Sequence, residues 1–130
     1  YFPLHSGGVV ALQLADSVEK WFTPMDPPAG DEVMARHRGQ TAAVTVIPGV
    51  VFSAGLDGVL RALSATTGRI FWEFSTAQDF TTVNGVKARG GSIGSAGPVI
   101  VDGMPYVTSG YSGFQNGVPG TVLLAFGLTD

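Results

Sequence analysis

Side chains that can bind an anion are concentrated in one polar stretch in the second half of the chain. It contains Asp79, Lys87 and Arg89, followed by two glycines and then Ser92. An arginine can bind a carboxylate through two parallel N–H groups, and a lysine adds a second positive charge beside it. The residue types of this stretch therefore suit an anionic ligand. The alternative is that Lys87 and Arg89 are ordinary solvated loop charges.

Other kinds of chemistry have weaker support in the sequence. The chain has no cysteine, which excludes disulfides and thiolate metal sites. His5 and His37 are the only histidines and no third ligand type clusters near them, so we predict no metal site. The glycine-rich residues 90–97 lack the Gly-Lys-Ser/Thr ending of a phosphate loop. No nucleophile–base pair stands out, and catalytic residues stay unassigned.

The composition narrows the class of protein. Charged residues make up 13% of the 130 residues and apolar residues 45%, with 19 glycines and 8 prolines, which indicates a folded but not a helical chain. The net charge of −3, without clustered Lys and Arg, argues against a nucleic-acid partner. No apolar run approaches the roughly 18–20 residues of a membrane span. The chain starts at Tyr1 without a signal peptide, and we expect a processed product, an isolated domain or a fragment.

An internal repeat identifies the structural units. Trp21 and Trp72 are 51 residues apart, and so are Ala11-Leu12 and Ala62-Leu63. A third, more divergent copy ends in Leu123-Leu124-Ala125-Phe126. A period near 50 residues is typical of repeat architectures such as the β-propeller.

Each copy predicts short antiparallel strands joined by tight turns. We predict ten strands: three in residues 1–23 (1–4, 9–14 and 19–23), four in 42–74 (44–47, 50–54, 59–64 and 70–74) and three in 97–126 (98–101, 104–109 and 121–126). Four short strands per unit are typical of propeller blades, whereas a plain β-sandwich does not predict Trp at a fixed offset. The predicted fold is an all-β, partial β-propeller of antiparallel four-stranded blades, with one complete blade between two incomplete ones.

The long connections of this predicted fold all fall on one side. In an up-and-down blade, the turns between the second and third strands lie at the same edge as the crossings to the next blade. The long segments are 24–41, 75–97 and 110–120, and all three belong to that edge. Long loops on a rigid scaffold are where binding residues concentrate, so the sequence predicts a functional face there.

The middle copy resembles a known repeat. Its pattern is Asp57-Gly58-Val-Leu60-Arg-Ala62-Leu63, followed by Thr67-Gly68 and Trp72. This resembles the tryptophan-docking repeat of dehydrogenases that depend on pyrroloquinoline quinone (PQQ). The tail, from Gly90-Gly91-Ser92 to Thr121-Val122-Leu123-Leu124-Ala125-Phe126, looks like the C-terminal portion of polyvinyl-alcohol-dehydrogenase-like members of that group.

The resemblance implies a cofactor and a reaction. In such relatives PQQ lies at the loop-rich end of the channel, often with Ca2+, and accepts a hydride from an alcohol before the electrons pass to a separate carrier. PQQ carries three carboxylates, so the resemblance makes Arg89, Lys87 and Ser92 candidate PQQ contacts. It also implies a periplasmic or secreted location. The alternative is a non-catalytic propeller, a scaffold or sensor module that uses the same repeat.

Two expectations concern assembly and stability. The outer blades should associate with further propeller blades, supplied by other copies of this chain or by a companion segment, and the chain alone should not be active. Trp21 and Trp72 should be structural plates that dock on a neighbouring blade. On that basis Trp72→Ala is expected to cost about 3–5 kcal/mol.

Overall fold

The computed structural model describes residues 1–4, 6–26, 30, 37–111 and 116–128, and these residues form twelve β-strands and no helix. The strands are β1 (Phe2–Leu4), β2 (Gly8–Leu12), β3 (Glu19–Thr23), β4 (Thr45–Ile47), β5 (Val50–Ala54), β6 (Val59–Ser64), β7 (Ile70–Ser75), β8 (Asp79–Thr81), β9 (Lys87–Arg89), β10 (Val99–Val101), β11 (Met104–Ser109) and β12 (Val122–Ala125). In the described part of the chain there is accordingly no helix of the length and apolarity that a membrane crossing requires.

Ten of the twelve strands form three antiparallel sheets in chain order, and β8 and β9 form a separate two-stranded sheet. The first sheet is β1-β2-β3, the middle sheet is β4-β5-β6-β7 and the third sheet is β10-β11-β12. Each strand pairs with the next along the chain, which is the meander expected of a propeller blade. The predicted fold class, an all-β partial propeller, is confirmed.

The turn between β2 and β3 explains why β2 ends two residues before the predicted end at Leu14. Asp16-Ser17 occupies the place that Thr67-Gly68 has in the middle sheet, and Ser17 adopts a positive φ of 59°. The Asp16 side chain supports this turn by accepting a hydrogen bond of 3.1 Å from the Val18 amide. The Asp16 side chain thus stabilises a turn in which Ser17, and not a glycine, adopts the positive φ.

One structural element was not predicted. Residues 75–97 were expected to be a loop, but β8 and β9 form a hairpin within them, so the structure has twelve strands and not ten. The hairpin closes through Asn84-Gly85, with Gly85 at a φ of +79°. Asn-Gly is a strong hairpin signal. The strands were missed because they lie in a long connection, outside the repeated units from which the strands were predicted.

Two apolar layers hold the three sheets together. The layer between the first and middle sheets consists of Val9, Ala11, Trp21, Met25, Val51 and Leu63. The layer between the middle and third sheets consists of Ala42, Phe52, Ala54, Leu60, Ala62, Ile93 and Val107. Because side chains alternate along a strand, neighbouring residues of β5 and β6 belong to different layers and the middle sheet is covered on both faces.

The two tryptophans occupy unequal environments. Trp21 is buried, and its Nε1 donates a 3.1 Å hydrogen bond to the carbonyl oxygen of Ala65 in the middle sheet's turn. Trp72 is 36% exposed and packs edge-on against Phe126, with ring centroids 5.4 Å apart. Trp21 therefore docks fully on the neighbouring sheet, whereas Trp72 reaches the third sheet with part of its indole in solvent.

Candidate functional site

The three long connections meet at one edge of the sheets, together with the β5–β6 turn (Gly55–Gly58). We call this edge the loop face. The Leu56 amide donates to the Gly39 carbonyl at 2.8 Å, and the Ile93 amide donates to the Gly55 carbonyl at 2.9 Å. The third connection joins them, since the Ser92 amide donates to the Val118 carbonyl at 2.8 Å. The described residues of the predicted functional face therefore lie together.

A repeated pattern of backbone hydrogen bonds builds the loop face. The Gln40 amide donates to the Leu4 carbonyl of the first sheet at 3.0 Å, as the Ile93 amide does to Gly55 of the middle sheet. Gln40 and Ile93 are thus equivalent residues, 53 positions apart. Each segment that leads into the first strand of a new sheet passes between the turns of two adjacent sheets and joins them through the backbone.

Glycines allow these segments to approach one another closely. A side-chain carbon at Gly90 would overlap the carbonyl oxygen of Thr76, and one at Gly91 would overlap the carbonyl oxygen of Val118. Backbone atoms, and not a ligand, therefore occupy the space beside these two glycines. This accounts for the glycine-rich run at 90–91 without a phosphate site.

Lys87 and Arg89 lie side by side on the exposed face of the β8–β9 hairpin. Arg89 Nη1 forms an ion pair with Asp79 Oδ1 at 2.8 Å, and the two side chains are 59% and 80% exposed. Lys87 Nζ donates to Thr81 Oγ1 at 3.0 Å. Two residues apart on one strand, the two cations point to the same side. The hairpin joins the loop face at its base, where the Thr121 amide donates to the Arg89 carbonyl at 2.8 Å.

Ser92 is separated from these cations by burial. Its side chain is fully buried, and its Oγ donates to the Leu56 carbonyl at 2.5 Å and accepts from the Val118 amide at 2.8 Å. The hydroxyl thereby links the middle sheet's turn to the connection between β11 and β12. The structure brings Lys87 and Arg89 together but does not expose Ser92 with them. A ligand contact from Ser92 would have to replace one of these two bonds.

Two further buried hydroxyls form hydrogen bonds within the loop face, and the sequence analysis did not identify either of them. Thr76 Oγ1 donates to the Gly58 carbonyl at 2.8 Å and lies 2.7 Å from Ser109 Oγ, which accepts from the Gly91 amide at 2.8 Å. Both side chains are fully buried. The residue equivalent to Thr76 in the first copy is the apolar Met25. This replacement of an apolar residue by a polar one was the sequence feature that could have drawn attention to Thr76.

A buried ion pair is the main feature of the loop face that the sequence reasoning missed. Arg61 is 2% exposed, and its Nη1 binds Asp57 Oδ2 at 2.6 Å. Its Nη2 donates to the Asp26 backbone carbonyl at 2.9 Å, and its Nε lies 3.6 Å from Glu73 Oε2. Asp57 had been interpreted as a turn residue only. Arg61 stands where the other copies have the apolar residues Val10 and Leu124. A charged residue at a position that is apolar elsewhere was the sequence feature that indicated a buried charge.

Burial sets the protonation behaviour of Asp57. Loss of solvent raises the pKa of the Asp57 carboxyl above its ordinary 3.8, while the Arg61 charge and hydrogen bond, the Val59 amide and the Gln40 amide oppose that shift. The Gln40 side chain accepts from Ser53 Oγ at 3.0 Å. Its Nε2 lies close enough to lower the pKa of Asp57, but no described residue offers it a hydrogen bond of good geometry.

Two open grooves in the described part of the chain lie on the opposite edge. One, of about 480 Å³, is lined by Tyr1, Trp21 and Ala65, and the other, of about 470 Å³, by Trp72, Phe52 and Phe126. The two grooves occupy equivalent positions beside successive docking tryptophans. Both grooves therefore follow from the repeat.

Comparison with known proteins supplies the family. No family model matches the chain. It is 42% identical over 129 aligned positions to a polyvinylalcohol dehydrogenase of a Pseudomonas species, covering 92% of this chain, and 40% identical over 99 positions to that of a Sphingopyxis species, covering 69%. It is also 35% identical over 85 positions to the outer membrane protein assembly factor BamB of Burkholderia pseudomallei, covering 61% of this chain. The chain belongs to the quinoprotein-type β-propeller repeat proteins.

Within this quinoprotein-type group the expected resemblance to polyvinylalcohol dehydrogenases is confirmed. The chain spans 20% and 15% of the length of those two relatives and 22% of the BamB relative. Three sheets are fewer than the four to eight blades of a closed propeller. The described residues therefore form a partial β-propeller.

The described side chains of the chain suit the carboxylates of PQQ better than they suit a metal ion. Two exposed cations on one strand, Lys87 and Arg89, match the carboxylates of a quinone of this kind. Among the described residues, no three His, Asp or Glu side chains lie close enough together to hold a metal ion. His5, one of the two histidines, lies outside the described residues.

Proposed function

We propose that this chain is a sector of a PQQ-dependent dehydrogenase that oxidises an alcohol, and that its loop face forms part of the quinone site. The observation that carries the proposal is the 42% identity to a polyvinylalcohol dehydrogenase over 92% of this chain. A secondary alcohol of the kind present in polyvinyl alcohol is the corresponding substrate. The chain alone is not the active unit, since a quinone needs walls from the other blades.

Arg89 and Lys87 are the proposed quinone contacts of this sector. Both are exposed on β9, and Arg89 is 59% exposed even though it is paired with Asp79. A surface ion pair of this kind contributes about 0–1 kcal/mol, so a quinone carboxylate can replace Asp79 at little cost. In this proposal Ser92 supports the site indirectly. Its buried hydroxyl bonds to the Leu56 carbonyl and the Val118 amide and so holds these two segments of the loop face in place.

Bound PQQ would supply the two-electron oxidation of the alcohol to a carbonyl compound. The residues of this chain would bind and orient the quinone carboxylates at Arg89 Nη and Lys87 Nζ. Ca2+ is the expected companion ion, with ligands from elsewhere in the ring. A separate electron carrier and a periplasmic or secreted location complete the proposal, supported by the relationship to the polyvinylalcohol dehydrogenases and to BamB.

The exposed sheet faces support further blades as partners. On the third sheet Val99 and Val101 are 59% and 51% exposed, and Leu123 is 67% exposed on the same face. On the first sheet Phe2 and Phe22 are 48% and 47% exposed. Contiguous exposed apolar side chains of this kind are typical of interaction surfaces. Blades from other copies of this chain, or from a companion segment, are the proposed occupants.

Titration with PQQ and Ca2+, followed by quinone absorbance, tests the function. It is performed on this chain and on the assembled propeller, together with alcohol-dependent reduction of a dye. Saturable binding and dye reduction by the assembled protein are expected. Binding without dye reduction would contradict the dehydrogenase, and no binding to the assembled protein would remove the quinone from the proposal.

A second function is a non-catalytic propeller that acts as a scaffold or interaction module. The 35% identity to the assembly factor BamB over 61% of this chain favours it. On this alternative Lys87 and Arg89 are solvated charges, and their substitution leaves every ligand titration unchanged. Failure of the PQQ titration, together with capture of a protein partner by the loop face, would establish it.

A further inference from the structure

Both ends of the connection between β3 and β4 are held by one hairpin of the middle sheet. At its start, the Asp26 carbonyl accepts a 2.9 Å hydrogen bond from Arg61 Nη2. At its end, the Gly39 carbonyl accepts from the Leu56 amide at 2.8 Å and Gln40 Oε1 accepts from Ser53 Oγ at 3.0 Å. The β5–β6 hairpin thus determines where this long connection leaves and rejoins the loop face.

Arg61 departs from the pattern of the other copies. The equivalent residues are Val10 in the first sheet and Leu124 in the third, and the equivalent of Asp57 in the first copy is Ser6. Taking an arginine and a carboxylate out of water costs free energy that apolar residues avoid, and such pairs are weak evidence for stability. The other two sheets form without the pair, so the fold itself does not require it.

We infer that Arg61 is a positioning residue that anchors the β3–β4 connection to the loop face. The planar guanidinium binds Asp57 with one nitrogen and the Asp26 carbonyl with the other, and this two-pronged geometry fixes the direction of the second bond. Asp57 compensates the buried charge. Glu73, at 3.6 Å and 62% exposed, is a peripheral partner.

The anchor goes beyond the proposed function and does not depend on PQQ. Its consequence for ligand binding does rest on the proposed function, because the β3–β4 connection is one of the three that build the loop face. Loss of Arg61 releases the start of that connection while the backbone bonds at Gln40 and Leu56 still hold its end. The first effect is therefore a local loosening and not unfolding.

Amide hydrogen exchange measured by mass spectrometry on the 130-residue chain tests the anchor. The main variant is Asp57→Ser with Arg61→Leu, which installs the residues of Ser6 and Leu124 and leaves no unpaired buried charge. We expect peptides covering residues 24–26 to exchange faster by about tenfold or more, the effect of losing one charge-assisted hydrogen bond, while peptides covering residues 37–41 keep their slow exchange because the Gln40 amide stays bonded to Leu4. Exchange in β5 and β6 and the urea midpoint should be retained.

Two single variants sharpen the result. Arg61→Lys keeps one positive charge for Asp57 but cannot bridge to the Asp26 carbonyl, so it should reproduce the local acceleration even if the double variant fails to fold. Glu73→Gln changes only the peripheral partner and should exchange like the parent chain. Unchanged exchange of the 24–26 peptides in Arg61→Lys would overturn the inference.

A uniform acceleration through all three sheets, with a lowered urea midpoint, would also overturn it, because the pair would then be structural. The PQQ titration separates this inference from the proposed function. Local loosening with weaker PQQ binding supports both. Local loosening in a protein that never binds PQQ supports the anchor and contradicts the quinone site.

Discussion

Gly68 lies directly against the indole of Trp21. A side-chain carbon at Gly68 would approach Trp21 Cε3 to 2.5 Å, and Gly68 adopts a φ of +72°. Two separate reasons therefore favour glycine at position 68. Its backbone adopts a positive φ, and the absence of a side chain leaves room for Trp21 of the preceding sheet.

Replacement of Gly68 should therefore destabilise the contact between two sheets. Gly68→Ala is expected to lower the free energy of unfolding by about 2–4 kcal/mol, from the positive φ and from the overlap with Trp21. Gly49→Ala is the matched control, since Gly49 has a φ of +82° with open space around it. It should cost about 1 kcal/mol. Equal losses in urea denaturation would show that the indole contact contributes nothing.

The two tryptophans should differ in their contribution to stability. Trp21→Ala should cost about 3–5 kcal/mol, because the side chain is buried and its Nε1 is bonded to Ala65. Trp72 is 36% exposed, which lowers its expected cost from the sequence-based 3–5 kcal/mol to about 2–3 kcal/mol. Chemical denaturation of both variants decides the order. A larger loss for Trp72→Ala would contradict the docking geometry.

Arg89 should contribute to quinone affinity without contributing to the fold. Arg89→Ala is expected to weaken PQQ binding about tenfold or more, the effect of losing one charge-assisted contact, while the circular dichroism spectrum stays that of the parent chain. Arg69→Ala is the matched control, because this exposed arginine lies in the β6–β7 turn on the opposite edge. Absorbance titration is the measurement. Equal affinity in both variants would remove Arg89 from the site.

Asp57 should make the stability depend on pH in a defined direction. Its pKa is raised in the folded state, so the protonated form is favoured by folding and this contribution is complete below pH 3.8. It is lost as the pH rises through the higher folded-state value. Relative to Asp57→Asn, the parent chain should therefore lose stability as the pH increases from 3.8 towards neutrality. Urea denaturation across this range is the measurement, and an opposite slope would show that Arg61 outweighs burial.

The outer sheet faces should drive association in solution. Val99, Val101 and Leu123 lie exposed on one face of the third sheet. Light scattering should find a mass above the 13.4 kDa of the chain. The double variant Val101→Lys with Leu123→Lys should reduce association without unfolding the chain, because both side chains already face solvent. A stable parent monomer with cooperative unfolding would contradict this prediction.

The sequence by itself determined the architecture, because the signals for it are local and repeated. The tryptophans 51 residues apart, the Ala-Leu pairs and the Asp-Gly and Thr-Gly turns predict strands whose ends agree with the structure to within two residues. The same signals placed all the long connections on one edge. They gave no prediction of β8 and β9, because these two strands lie in a connection that the repeated signals do not include.

Only the tertiary structure decided which side chains of the loop face are exposed. Whether Ser92 faces solvent depends on Leu56 and Val118, which are 36 and 26 residues away, and its hydroxyl is buried between them. Arg61 is buried because β6 turns that residue towards the first sheet, where Asp26 meets it from 35 residues away. Such contacts depend on how neighbouring sheets cover one another, and no local pattern of residues encodes that.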